Sequence, residues 1–394
     1  MKKQRMHPPV YLDYHATTPV DPRVLEAMLP YFGPKFGNAA SRTHRFGWEA
    51  EAAVEQARRQ VAALIGALPE EIIFTSGATE SNNLAIKGVV EASRAERRHL
   101  VTVATEHHAV LDPVRRMEGQ HLAVTILPPR PDGLVELDRL ANAIGADTIL
   151  VSVMFGNNEI GTLQPVGEIG AICRARGILF HSDAAQAAGR ARIQVNDQKI
   201  DLMSLSAHKI YGPKGIGALY ARRAARSRIL PQIDGGGHES GLRSGTLNVP
   251  AIVGFGAACE IAAQEMETEQ ERVRQLRDRL QTRLLTELEN STVNGSIGNR
   301  LPNNLNVSFA GVDAAALLMK LPGVALSTGS ACSSATPAPS HVLRAIGLSA
   351  EAARSSVRFG LGRFNTQEEI DFAAGQVIEA VREVRRDAPG ARFG

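Results

Sequence analysis

Ser206, His208 and Lys209 stand together in the stretch Ser204-Leu205-Ser206-Ala207-His208-Lys209-Ile210-Tyr211-Gly212-Pro213-Lys214-Gly215. A hydroxyl, an imidazole and an amine within four residues could bind and bond a carbonyl compound. A lysine amine that is desolvated and aimed becomes a nucleophile suited to a Schiff base. For a lone lysine, a solvated surface position is the default. Three features weigh against it here. Residues 200–205 form an apolar run that reads as a buried strand. Gly212, Pro213 and Gly215 impose a turn after it. Upstream segments supply partners. Ile178-Leu179-Phe180-His181-Ser182-Asp183 is another short apolar strand, and it ends in a carboxylate. Glu71-Ile72-Ile73-Phe74-Thr75 runs into Ser76-Gly77-Ala78-Thr79-Glu80-Ser81, a glycine turn that opens a helix. Such a helix start offers free N–H groups and the positive end of the helix dipole to a phosphate. An Asp at a strand end that faces a lysine from a later strand is the arrangement a pyridoxal ring needs, and phosphate cradle, Asp183 and Lys209 come in that order along the chain. The aspartate keeps the ring nitrogen protonated, so the ring can accept electrons.

The elements that must position these groups are legible in the periodicity. From about residue 72 to residue 220, short apolar strands alternate with helical stretches; the strand candidates after the first are 99–104, 123–127, 148–153, 178–180, 202–205 and 218–220. That alternation implies a mostly parallel sheet with helices on both faces. Ligands of such sheets sit beyond the carboxyl ends of the strands. Thr79, His107, Asn158, Asp183 and Lys209 all fall just after strand candidates. Asp21-Pro22-Arg23 has the form of a helix start. Residues 249–288 read as one long helix, whose charged second half keeps a narrow apolar stripe at Val273, Leu276 and Leu280. The last third reads as α+β, with strands at 305–309, 324–326 and 356–359 and a helix at 314–321. A C-terminal helix opens at Thr366 with a capping box completed by Glu369. The glycine-rich loop at 235–246 lacks the strand-to-helix setting of a dinucleotide fingerprint.

Composition narrows the function classes. The chain has 394 residues, 44% hydrophobic, with a formal net charge of +3. Two domains are the prior for that length, and the small charge argues against a nucleic-acid protein. The basic first nine residues lack the apolar stretch of a signal peptide. No apolar run is long enough to span a bilayer, so a cytoplasmic protein without membrane contact is expected. Three cysteines, Cys173, Cys259 and Cys332, are too few and too odd for a disulfide framework. No metal spacing occurs, and the adjacent His107 and His108 point in different directions on any regular element. Cys173 and Cys259 lie in helical apolar surroundings and read as small buried hydrophobes. Cys332 lies in Ser327-Thr328-Gly329-Ser330-Ala331-Cys332-Ser333-Ser334-Ala335-Thr336-Pro337-Ala338-Pro339-Ser340, which has no large apolar anchor. That segment is expected to be exposed and mobile, so the residues alone leave a reactive and an inert thiol equally open for Cys332.

From Tyr11-Leu12-Asp13-Tyr14-His15-Ala16-Thr17-Thr18-Pro19 to Arg358-Phe359-Gly360-Leu361-Gly362-Arg363-Phe364, the chain resembles the pyridoxal 5′-phosphate enzymes of fold type I. Within the class-V aminotransferases it is similar to the cysteine desulfurases of the NifS/IscS group. The resemblance implies an α/β fold: a large domain over 18–260 with a mostly parallel seven-stranded sheet, and a smaller α+β domain from 1–17 and 261–394 that carries the loop 327–340. It implies Lys209 as the cofactor lysine, Asp183 at the ring nitrogen, and His107 stacked on the ring and moving protons. Gln186 would bond the ring hydroxyl, and Asn158 would contact cofactor and substrate. Ala78, Thr79, Ser206 and His208 would hold the phosphate, with Thr246 reaching in from a second subunit of a homodimer. Arg358 would pair with the substrate carboxylate; a structural salt bridge is the plainer role for any single arginine. Cys332 would be the nucleophile that takes sulfur from L-cysteine as a persulfide and leaves L-alanine. The sulfur would pass to acceptor proteins such as an iron–sulfur scaffold, where Cys332 would transiently share a cluster. Residues 385–394 lack the apolar tail that some relatives use to dock a scaffold. A selenocysteine lyase or another fold type I aminotransferase is the nearest alternative, and a non-catalytic sulfur-trafficking scaffold is the alternative of a different class.

Overall fold

The computed structural model describes residues 9–93, 98–119, 122–328 and 339–387. In chain order the strands are β1 (Val10–Tyr11), β2 (Ile72–Thr75), β3 (His99–Val103), β4 (Ala123–Leu127), β5 (Thr148–Ser152), β6 (Leu179–Asp183), β7 (Leu202–Ser206), β8 (Gly217–Ala221), β9 (Ser291–Val293), β10 (Asn304–Phe309), β11 (Val324–Ala325) and β12 (Ser356–Gly360). The helices are α1 (Pro22–Met28), α2 (Arg45–Ile65), α3 (Ala78–Ala92), α4 (His108–Glu118), α5 (Leu137–Ala143), α6 (Val166–Ala175), α7 (Val249–Glu287), α8 (Ala314–Met319), α9 (His341–Ala345), α10 (Ala350–Arg354) and α11 (Gln367–Asp387).

Seven strands form the large sheet in the order β2-β8-β7-β6-β5-β3-β4. All pairings are parallel except those of β8, which runs antiparallel to both β2 and β7. Strands β3, β5, β6 and β7 are buried throughout, as a sheet covered on both faces requires. Alternate residues go to opposite faces. Val101, Val151, Phe180 and Met203 pack with α2 and the first half of α7. Leu100, Leu150, Leu179 and Leu202 pack with α3 and α4.

Helix α7 runs for 39 residues, about 58 Å at 1.5 Å per residue. Its first half lies in the core of the large sheet through Ile252, Phe255 and Cys259. Its second half turns Val273, Leu276, Leu280 and Leu284 into a separate core, where they meet Leu12, β10, β12 and α11. That second core is roofed by a three-stranded antiparallel sheet, β12-β10-β9. The narrow stripe is therefore core, and most of the charged remainder of the helix faces water, with Arg277 buried. Asp21 caps α1 by accepting from Arg23 N–H, with Pro22 just inside. The Thr366–Glu369 capping box closes at 3.2 Å in both directions. Cys173 and Cys259 are both fully buried. Cys332 lies outside the described residues.

Several boundaries differ from the sequence expectation by a residue or two. The strand read over residues 178–183, with its apolar run at 178–180, spans Leu179 to Asp183. Polar His181 and Ser182 continue it because His181 has partners on both neighbouring strands. Its Nδ1 meets Ser152 Oγ of β5 at 2.8 Å and its Nε2 meets Ser204 Oγ of β7 at 3.0 Å. The imidazole thus ties three central strands together with no solvent contact, and burial pushes its pKa down to about 4.

That depression makes stability depend on pH. Below the ordinary histidine pKa of 6.5, the unfolded chain takes up a proton that folded His181 refuses. Its contribution is complete above pH 6.5 and drains away as pH falls towards 4. His181→Leu should lower stability by about 2–3 kcal/mol at neutral pH, because it strands two buried hydroxyls. It should also flatten the fall of the thermal unfolding midpoint between pH 7 and pH 5. An unchanged pH dependence in the variant would contradict this account.

Candidate active site

A cavity of about 490 Å³ opens beyond the carboxyl ends of β2, β3, β5, β6 and β7. Each strand hands one or more functional residues to it. Strand β2 delivers Gly77, Ala78 and Thr79; β3 delivers His107; β5 delivers Asn158; β6 delivers Asp183 and Gln186; β7 delivers Ser206, His208 and Lys209. Arg358 reaches the same cavity from β12. These residues come from segments spread along most of the chain, and only the parallel sheet brings them to one edge.

The phosphate end is a helix start. Gly77 adopts φ 151°, a conformation that L side chains rarely adopt, and caps α3 with no side-chain acceptor. The first N–H groups of α3 therefore open onto the cavity beside Ser206, His208 and Lys214. Closeness is enforced from behind. A Cβ on Gly217 would lie 2.6 Å from Gly77 Cα and 2.4 Å from the Leu205 carbonyl oxygen, so β8 needs glycine there. Glu80 anchors the turn by accepting from Ser76 N–H at 2.8 Å and pairing with Arg243 at 2.9 Å.

The ring end is an acid held from two sides. Asp183 Oδ1 accepts from Ala185 N–H at 2.9 Å, and Oδ2 accepts from Asn82 Nδ2 at 2.7 Å. Asn82 comes from α3, is fully buried, and its own Oδ1 has no partner. Lys209 Nζ donates to the carbonyls of His15 at 2.5 Å and Ala16 at 2.7 Å. His107 caps α4, its Nδ1 accepting from Ala109 N–H at 3.1 Å. Burial and the Lys209 charge hold His107 below the ordinary histidine range, although Asp183 opposes the shift. Burial and the same lysine push His208 down to about 4. Both imidazoles are neutral at pH 7.

The substrate end lies at the seam with the smaller sheet. Arg358 pairs with Asp13 at 2.8 Å and donates to the Asn158 carbonyl at 3.0 Å, while its Nε is buried without a partner. The plainer role expected of an arginine, an ion pair, is thus present on a side chain that also lines the cavity. Gln186 does not stand free either. Its Oε1 meets His15 Nδ1 at 2.9 Å and its Nε2 donates to the His15 carbonyl at 3.0 Å.

Thr246 is exposed and does not line this cavity. Every other sequence-derived site residue among those described does. Sequence reasoning assigned no role to His15, Asn82 or Glu106. His15 joins Gln186 to Asn304 of β10 (3.1 Å); burial and the charge of Arg358 keep it neutral. Glu106 is fully buried; its Oε1 accepts from Met154 N–H at 2.6 Å and its Oε2 has no partner. Burial raises its pKa well above the carboxylate range. Adjacency in the motifs Asp13-Tyr14-His15 and Glu106-His107 was the available signal for two of them. Among the described residues no group could hold a metal ion, and no helix is long and apolar enough to cross a membrane.

The donor set fits pyridoxal phosphate on structural grounds. An uncapped helix start beside cationic Lys214 suits a dianion. A carboxylate with one flank exposed to the cavity suits a protonated ring nitrogen. A cavity-lining lysine completes the set.

Comparison with known proteins agrees. Residues 10–372 match the aminotransferase class-V family. A cysteine desulfurase IscS from Anaeromyxobacter sp. (strain Fw109-5) is 57% identical over 381 residues, covering 97% of this chain and 94% of that protein. A solved NifS-like protein superposes with a TM-score of 0.89 at 37% identity, covering 95% of this chain and all of that one. A structure described as SspA in complex with cysteine superposes with a TM-score of 0.80 at 39% identity, covering 91% of this chain and all of that one. The chain belongs to the class-V aminotransferases and, within them, to the pyridoxal-phosphate-dependent cysteine desulfurases.

Proposed function

We propose that the protein removes sulfur from L-cysteine, releases L-alanine, and carries the sulfur as a persulfide on Cys332. What carries this reading is the convergence of Lys209, Asp183, His107 and Arg358 on one cavity, in a chain 57% identical to a cysteine desulfurase over nearly its full length. Bound there, the cofactor supplies a sink for the electron pair released when the substrate Cα–H bond breaks.

The residues divide the remaining work. The N–H groups of Ala78 and Thr79, with Ser206 and His208, hold the phosphate. Asp183 holds the ring nitrogen in its protonated form, and Asn82 keeps the carboxylate turned towards it. Gln186 reaches the ring hydroxyl from its seat on His15. Arg358, steadied by Asp13, takes the substrate carboxylate with its planar fork. Asn158 flanks both cofactor and substrate. Lys209 would hold the cofactor, and its amine would move the proton at the substrate Cα. Neutral His107 would lie against the cofactor and would move a proton at the substrate. The Cys332 thiolate then bonds to the substrate sulfur as the Cβ–S bond breaks. The pair from that bond stays on Cβ, and protonation completes alanine.

Thr246 lies off its own cavity, beyond Arg243, whose guanidinium is tied to Glu80 at the phosphate turn. This supports Thr246 acting in the site of a second subunit, in a homodimer. The separate cores support a large domain over 18–260 and a smaller one from 1–17 and 261–394. Sulfur acceptors such as an iron–sulfur scaffold and a cytoplasmic location complete the proposal.

The holoenzyme with L-cysteine should release alanine and, with a reductant, sulfide. Cys332→Ser should lose at least roughly 100-fold in sulfide release while keeping its yellow colour, because the thiolate is the nucleophile. Full-rate release by the variant would refute the role of Cys332. Asn82→Ala should weaken pyridoxal phosphate binding by about ten- to hundred-fold, the worth of a bond to a charged group. Asn82→Asp should be worse, because it sets a second carboxylate against Asp183. Equal cofactor affinity in both variants would remove Asn82 from its positioning role. Sedimentation should give twice the chain mass of 42.2 kDa, and a monomer with full activity would exclude a shared site.

A further inference from the structure

A second cavity, of about 710 Å³, lies between the segment after β6, the middle of α7 and the loop before β10. Its lining carries five guanidinium groups, those of Arg190, Arg192, Arg274, Arg277 and Arg300, against one carboxylate, Asp278. Three of these arginines are deep: Arg190, Arg277 and Arg300 are only 5–7% exposed. Buried cations are ordinarily paired, because leaving a charge out of water without a partner is costly.

The pairing here is incomplete. Arg190 has both terminal nitrogens, Nη1 and Nη2, buried with no partner. Arg300 spends Nε on the Ser296 carbonyl (2.8 Å) and Nη2 on the Asn294 carbonyl, but its Nη1 is buried and unpartnered. Asp278 is already bound to Arg277 Nε at 2.5 Å. Arg274 is tied to Glu271, which does not line the cavity. Three buried nitrogen donors on two cations thus lie without partners in the wall of a cleft whose one acid is held by Arg277.

We propose that this cleft is a binding site for a small polyvalent oxyanion, of the phosphate or polycarboxylate class. Guanidinium donors fix such an anion with two parallel hydrogen bonds, and Arg190, whose Nη1 and Nη2 have no partner, carries such a fork in the cleft wall. Burial, reinforced by the neighbouring Arg277 charge, pushes Arg300 down to about 10, which a bound anion would reverse. The anion would be gripped from both sides of the seam, by Arg190 after β6 and by Arg277 and Arg300 from α7 and the loop before β10. The same short segment carries Asp183 and Gln186 to the active site and Arg190 to this cleft. The site is distinct from the phosphate cradle at Gly77 and does not depend on the proposed activity.

Isothermal titration of the holoenzyme, its cradle filled by the cofactor, tests the proposal. Inorganic phosphate, pyrophosphate and citrate are compared at matched ionic strength in chloride buffer. Saturable one-site binding is expected. Arg190→Gln and Arg300→Gln should each weaken it about tenfold or more, as expected for loss of a charge-assisted bond. The surface change Arg45→Gln should leave it unaltered. Arg190→Gln should also unfold no earlier than the wild type in anion-free buffer, because it removes an unpaired buried charge, and should abolish the thermal shift that the anion produces. Preference for pyrophosphate identifies a phosphoryl ligand, and preference for citrate a polycarboxylate. Absence of saturation with all three anions, or equal affinity in Arg190→Gln, would overturn the proposal. Because the readout is heat of binding, either result leaves the desulfurase reading untouched.

Discussion

The bond from Asn82 to Asp183 is the constraint on which the site depends. It joins the first turns of α3, whose N-terminus opens onto the cavity, to Asp183 at the end of β6. Two walls of the cavity are thereby set relative to each other by the fold itself. The bond works because both partners are buried and because β6 lies at the centre of the sheet, fastened through His181 to both neighbours. A carboxylate at a frayed strand end would lose direction to solvent. Preorganisation of this kind places the cost of orienting charge in folding rather than in each catalytic cycle.

A second set of bonds closes the seam between the large sheet and the smaller one. His15 links Gln186 to Asn304, and Asp13 holds Arg358. Arg363 reaches across to Asp21 at 2.7 Å and Glu269 at 2.7 Å while lying over the Tyr211 ring. The residues that flank the Cys332 segment are anchored in the same seam. The Ser327 carbonyl accepts from Arg358 N–H at 2.8 Å. Ser340 Oγ donates to Glu159 at 2.5 Å, and His341 Nε2 meets the Glu106 carbonyl at 3.0 Å. Burial raises the pKa of Glu159, and the bond donated by Ser340 opposes that rise. The described residues on either side of the Cys332 segment are thus fixed next to Arg358 and the strand-end loops.

The large sheet was legible because buried parallel strands are short apolar runs, and their ends coincide with the chemically competent residues. Lys209, Asp183 and His107 each sit at or just past the end of such a run, so the runs themselves point to them. Strand β6 was legible to its end at Asp183, but what holds polar His181 inside it was not, because Ser152 and Ser204 lie on other strands. Asn82 was missed because a polar residue in the first turns of a helix reads as solvated. The Gln186–His15 pair spans 171 positions and has no periodic signal. The arginine cleft is invisible for the same reason: its residues belong to three segments whose charges each read as surface. The pattern of a chain reveals which face is apolar; which polar groups are trapped together depends on tertiary packing.

The most direct test of the account is where the cofactor is attached. Borohydride reduction of the yellow holoenzyme, with peptide mapping of the product, should place the pyridoxyl group on Nζ of Lys209. Label on another lysine, or a protein that pyridoxal phosphate cannot turn yellow, would contradict the account.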